Sequence, residues 1–140
     1  MSVHHNPNHD RSQSRSQHLE EVLSRITREH GFLAAVLTNS EGLPLSAAAS
    51  EDRLLSEVLA AVAPVIERAA YQSNVHSGLE SADEVVIQNV DRTRIVCRFF
   101  TVNGQPLILA CVVPKQVAYR RVMNRAIREI RQSWNLELEP

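Results

Sequence analysis

Residues 31–45 read Gly31-Phe32-Leu33-Ala34-Ala35-Val36-Leu37-Thr38-Asn39-Ser40-Glu41-Gly42-Leu43-Pro44-Leu45. The run Phe32–Leu37 is apolar without interruption, and such a run in a strand implies a sheet covered on both faces. Asn39-Ser40-Glu41-Gly42 is a turn signal. The chain therefore reverses, and Leu43–Ala48 returns as a second strand. Pro44 has no N–H to give to a ladder, so this second strand belongs at an edge.

Upstream, Leu19, Val22, Leu23 and Ile26 recur at helical spacing, with Glu20 and Glu21 in the first turn, where the helix dipole favours them. Gly31 suits the residue that ends this helix. Order should begin near Ser16. Residues 1–15, MSVHHNPNHDRSQSR, are too polar to offset their ordering entropy and read as a disordered tail. His4, His5 and His9 lie in it without the supporting shell a metal site needs, so no metal site is assigned there.

Downstream, Ser50 or Glu51 opens a second helix that runs to about Gln72, and Glu84–Val90 is a third strand. Asp91-Arg92-Thr93 turns the chain into a fourth strand, Arg94–Val102. Asn103-Gly104 is the strongest short hairpin signal and leads to a fifth strand, Gln105–Val113. Pro114 suits the start of a last helix over Lys115–Trp134, and residues 135–140 form a short tail. The order α-β-β-α-β-β-β-α makes residues 16–134 one α+β domain. A five-stranded antiparallel sheet in the order 2-1-5-4-3 puts the two longest apolar runs, strands 1 and 5, in the middle. The first and last helices then cover one face and the middle helix the other.

At 140 residues the chain fits one domain, and a net charge of −1 gives no global pull towards nucleic acid or anionic lipid. Three Phe, two Tyr and one Trp are few for a surface that stacks bases. There is no apolar signal segment and no membrane-spanning run, and the two cysteines sit in apolar runs, so a reducing cytoplasmic setting is expected. A two-residue Asn103-Gly104 turn pairs Cys97 with Ala110 and Cys111 with Val96, which sends the thiols to opposite faces. None of the phosphate-cradling, metal-protease, dithiol or serine-nucleophile motifs occurs. The six histidines lie in the tail, the first helix or a loop, none beside a cysteine. Glu80, Asp83 and Glu84 lack calcium-loop spacing. No catalytic residue and no cofactor are assigned.

Two helices carry surface information. In the last, Tyr119, Val122, Met123, Ala126, Ile127, Ile130 and Trp134 share an arc of about 140°, and Arg120, Arg121, Arg125, Arg128 and Arg131 take the other side. This basic side is a solvated face or, alternatively, a docking face for nucleic acid or an acidic partner, centred on Arg121, Arg125 and Arg128. In the middle helix, Leu54, Leu55, Val58, Leu59, Val62, Val65, Ile66 and Ala69 fill an arc that can face the sheet. Ala60, Ala63 and Pro64 then form a small-residue patch on the outside, flanked by Arg53, Ser56, Glu57, Glu67 and Arg68. Pro64 removes the hydrogen bond to the Ala60 carbonyl.

The element order and the segment Gly31–Leu45, with its apolar strand and polar turn ending in Gly42-Leu43, resemble the Roadblock family of dynein-light-chain-like domains. The resemblance covers about residues 16–134. It implies a profilin-like or longin-like fold without an active site. It also implies a homodimeric or heterodimeric adaptor that binds, and in some cases regulates, a Ras-like small GTPase. Two other functions compete, a small-molecule sensory domain and a nucleic-acid accessory domain that uses the basic last helix. A sensor needs a cavity with convergent polar groups, which the apolar strands hardly offer.

The third strand is expected at an edge, where Val85, Val86, Ile87 and Gln88 can pair with a second copy. The same two-fold axis brings the middle helices together at Ala60, Ala63 and Pro64. A GTPase would meet the paired helices near Glu57, Glu67 and Arg68.

Overall fold

The computed structural model describes the backbone of residues 7–135 and the side chains of residues 14–135. Helix α1 (Pro7–Glu29) is followed by strands β1 (Ala34–Asn39) and β2 (Pro44–Ala49), then by helix α2 (Arg53–Ser77). Strands β3 (Glu84–Gln88), β4 (Arg94–Val102) and β5 (Gln105–Val113) lead to helix α3 (Arg120–Asn135). The five strands form one antiparallel sheet in the order β2-β1-β5-β4-β3, as expected from the apolar runs.

The central pair is formed by β1 and β5, whose side chains are buried on both faces along most of their length. On one face Leu19, Val22, Leu23 and Ile26 of α1 meet Met123, Ile127, Ile130 and Trp134 of α3 above Ala35, Leu37, Leu109 and Cys111. On the other, Leu59, Ala60, Ala63 and Ile66 of α2 cover Ala34, Val36, Ile108 and Ala110. The hairpin pairs Val102 with Gln105 across Asn103 (φ 50°) and Gly104 (φ 80°), two left-handed residues as a tight primed turn demands. Cys97 pairs with Ala110 and Cys111 with Val96, and both thiols are free and buried, one in each core layer.

Several boundaries move. The α1 helix starts at Pro7 rather than near Ser16, so the backbone of residues 7–15 is helical. Extending a helix already nucleated at its apolar turns costs little, and Pro fits a first helical position. His4 and His5 of the expected tail, and residues 136–140 after α3, lie outside the described residues, and for His9 only the backbone is described. The N-cap of α2 is Asp52, whose Oδ1 accepts from the Leu54 amide, and the helix continues past Gln72 to a left-handed Gly78. The β3 strand ends at Gln88, two residues short of Val90.

The last helix starts five residues after Lys115. Pro114–Val117 forms a turn closed by the Val117 amide on the Pro114 carbonyl. The Arg94 guanidinium donates to the carbonyls of Pro114, Lys115 and Val117 and stacks on the Tyr119 ring, 5.2 Å from its centroid. Arg94 thereby holds residues 114–117 as a turn of their own ahead of α3.

Candidate functional site

The middle helix corrects the largest sequence expectation. Ala60 and Ala63 face the sheet and are buried (5% and 0% exposed), and Pro64 is buried beside them. The small-residue patch is therefore an intramolecular contact and not a helix–helix contact between copies. Of the arc expected to face inward, only Leu59 and Ile66 are buried and Leu55 half-buried. Leu54 (61% exposed), Val58 (50%), Val62 and Val65 (55%) point to solvent. The reason is geometric. The strands beneath carry Ala34, Val36, Ala110 and Val112, and two alanines let the helix settle close to them. The rotation is fixed by Pro64, which packs against the backbone of Gly42 in the β1–β2 turn.

This rotation leaves an apolar stripe, Leu54, Val58, Val62 and Val65, exposed along the outer side of α2. At 100° per residue the four lie within an arc of about 80°, one face of the helix. The helix packs chiefly on β1, β2 and β5 and reaches β3 and β4 only marginally. On the α2 side of the sheet, Val85, Ile95 and Phe99 are consequently only half-covered, and Ile87 is 38% exposed. The β3 strand is an edge, as expected, and among the described residues no further strand pairs with it. An open groove of about 370 Å³ lies between the C-terminal part of α2 and Phe99, lined also by Tyr71, Val75 and Leu79, with Glu67 and Arg68 at its rim.

The structure separates the charged residues expected at the partner site. Glu67 and Arg68 border that groove, whereas Glu57 lines a different, polar cleft of about 460 Å³ beside the β2 edge, with Glu20, Arg28 and Arg53. Eleven residues of helix separate Glu57 from Arg68, a rise of about 16 Å. Val85 is half-buried, while Val86, Ile87 and Gln88 are exposed along the β3 edge. Arg121, Arg125 and Arg128 are exposed on α3, and Arg125 and Arg25 both bind the Glu129 carboxylate, at 3.2 and 2.9 Å. What sequence reasoning missed is the outer stripe of α2. Its only sequence signal is that this helix is apolar nearly all round, which leaves an apolar side over whichever way it packs.

Neither core thiol is activated as a nucleophile. Burial pushes the Cys97 thiol up to about 12, and Cys111 is raised further by burial and by Cys97. Among the described residues no three His, Cys, Asp or Glu side chains converge to hold a metal ion, and no helix is long and apolar enough to cross a membrane.

With this geometry the chain superposes on solved structures of one fold. Myxococcus xanthus MglB matches with a TM-score of 0.73 at 11% identity, over 100% of this chain and 98% of that one. The chain has the Roadblock/LC7 fold. A Roadblock/LC7 domain from Streptomyces avermitilis matches with a TM-score of 0.67 at 14% identity, over 86% of this chain and 98% of that one. An MglB solved in a tetrameric arrangement matches at 0.68 and 16% identity, over 98% and 96%. No family model matches the sequence, and no curated protein does. At these identities the Roadblock/LC7 likeness is one of backbone architecture. Its elements run in the order of the Roadblock/LC7 fold from α1 to α3, with the Gly42 turn between its first two strands.

Proposed function

We propose that this chain is a non-enzymatic, dimeric, cytoplasmic adaptor that binds a Ras-like small GTPase. The observation that carries the reading is the pairing of two bare surfaces on one chain, the solvent-facing apolar stripe of α2 and the β3 edge. A two-fold axis that pairs two β3 edges through Val86, Ile87 and Gln88 continues the sheet into a second copy. The same axis sets each α2 stripe over the partner's half-covered shelf of Val85, Ile95 and Phe99. Leu54, Val58, Val62 and Val65 thus take the role that the sequence alone assigned to Ala60, Ala63 and Pro64. Self-pairing is supported by the tetrameric arrangement of a chain with the same fold.

The GTPase is supported by the sequence resemblance of Gly31–Leu45 and by the fold. Its docking surface is the outer side of the paired helices, with Glu67 and Arg68 among the charged groups it meets. Arg68 is exposed and Glu67 half-buried at the rim of the apolar groove. The test is direct. Purified protein is titrated with Ras-like small GTPases from the same genome, each loaded with a GTP analogue or with GDP. Binding of one GTPase that depends on the nucleotide, and that weakens on Arg68→Glu, supports the reading. Absence of binding to every GTPase in both nucleotide states removes it.

A further inference from the structure

The groove between α1 and α3, on the opposite side of the sheet from α2, combines an apolar floor with a cationic rim. Val122 stands half-buried in a depression of about 220 Å³, whose deeper walls are the core residues Val22, Ile26 and Ala126 and which His30 also lines. Arg25, Arg121 and Arg125 stand around it with a single carboxylate, Glu129. Glu129 already joins the two helices, accepting from Arg25 through both oxygens at 2.9 and 3.2 Å and from Arg125 at 3.2 Å. On the α3 side Arg121, Arg125 and Arg128 face a single carboxylate, Glu129, which Arg25 already shares. Arg128 extends the ridge one turn further along α3, and neither it nor Arg121 makes a hydrogen bond or ion pair to the described residues.

We propose that this groove docks an acidic, amphipathic peptide segment of a partner protein. Its apolar side chains would settle on Val122 and the aliphatic stems of the flanking arginines, and its carboxylates would bind Arg121, Arg125 and Arg128. The chemistry favours a peptide over nucleic acid on two counts. Apolar contacts add nothing to the binding of a phosphate backbone, and no Phe, Tyr or Trp lines the groove to stack a base. Arginine forks match carboxylates two hydrogen bonds at a time, and Glu129 shows that a carboxylate fits between these helices. The acidic segment lies on the α3 side of the groove, because Glu21 and Glu29 are exposed along α1 and would repel it. The inference does not depend on the GTPase reading, since the two surfaces lie on opposite faces of the sheet.

Fluorescence anisotropy with a labelled peptide of alternating leucine and glutamate tests the site. Serine–glutamate and leucine–lysine peptides and a duplex DNA oligonucleotide serve as comparisons. At low salt the leucine–glutamate peptide should bind at least about tenfold more tightly than the other two peptides. Arg121→Glu with Arg128→Glu should abolish that preference and confer binding of the leucine–lysine peptide. Both side chains are exposed and unbonded, so circular dichroism should show an unchanged fold. Val122→Thr should weaken the leucine–glutamate peptide while leaving the serine–glutamate peptide unchanged. Equal binding of the leucine–glutamate and serine–glutamate peptides would reduce the site to a charged ridge and overturn the proposal. So would duplex DNA binding more tightly than any peptide with a steep loss in salt.

Discussion

Gly42 closes directly on Pro64. A Cβ built on Gly42 would lie 3.3 Å from Pro64 Cγ and 3.4 Å from the Ala60 carbonyl oxygen, and Gly42 holds a left-handed φ of 87°. Two features that look separate in sequence thus meet: a turn glycine and a helix-interior proline. Pro64 frees the Ala60 carbonyl, and the β1–β2 turn passes over it. The turn itself is held by Asn39, whose Oδ1 accepts from the Glu41 and Leu43 amides, and by Thr38, whose Oγ1 donates to the Leu43 carbonyl.

Gly42→Ala should therefore destabilise the fold by about 1–3 kcal/mol, from left-handed strain and the tight contact together. Urea denaturation measures it, as a lowered midpoint at unchanged slope. An unchanged midpoint would mean that the turn relaxes away from α2. Gly104→Ala is the comparison, because its φ is also positive but nothing lies within 4 Å of the added carbon. It should cost less.

The two thiols make a prediction about pH. Both are neutral in the folded core, and Cys97 is raised from 9.0 to about 12. The unfolded chain releases these protons first, so above pH 9 it binds fewer protons than the native state, and stability falls as pH rises. The contribution is complete below pH 9 and is lost progressively towards pH 12. Between pH 8 and pH 10 the wild-type chain should lose about 1–3 kcal/mol more than Cys97→Ala with Cys111→Ala. Equal losses in the two proteins would show that the thiolates are tolerated in the core. Because Cys97 and Cys111 face opposite layers, alkylation in denaturant without reductant should also find two free thiols.

Much of the fold is legible from short-range chemistry. The run Phe32–Leu37, the Asn103-Gly104 turn and the parity of Cys97 and Cys111 each rest on local backbone geometry, and tertiary structure has little power to alter them. The rotation of α2 is different. Large apolar side chains lie on two of its sides, so the hydrophobic pattern admits more than one inward face. The choice falls to Ala60, Ala63 and the Gly42–Pro64 contact, which link positions distant in the chain. The start of α3 depends on Arg94, 20 residues before Pro114. The α1–α3 groove depends on Arg25 and Glu129, 104 residues apart. Interactions at such separations leave no periodic trace in a sequence.

The arginine ridge should matter little to stability. Arg121→Ala with Arg125→Ala removes one exposed guanidinium without a bonded partner and one exposed ion pair to Glu129, which keeps Arg25. The change should stay below about 1 kcal/mol. Thermal melts read it. GTPase binding should survive in the same variant, because α3 lies across the sheet from α2. Loss of GTPase binding by a folded Arg121→Ala, Arg125→Ala protein would move the GTPase to the α3 face.

Dimerisation separates the outer stripe of α2 from its buried alanines. Val58 and Val65 are exposed in the single chain, so Val58→Arg with Val65→Arg places two cations on a surface that tolerates them in a monomer. Across a two-fold axis the same change sets four cations into an apolar contact, which costs several kcal/mol where the charges are left unpaired. Light scattering should show a monomer whose circular dichroism remains native. Ala60→Arg should behave differently. Ala60 is 5% exposed against the sheet, so an arginine there has no room and should unfold the chain rather than split a dimer. Ile87→Arg, on the β3 edge, should weaken pairing without unfolding, since the side chain is already 38% exposed. A dimer that persists in the Val58, Val65 double variant but dissociates in Ile87→Arg would leave strand pairing as the sole contact. A dimer that persists in both would place the two-fold axis elsewhere.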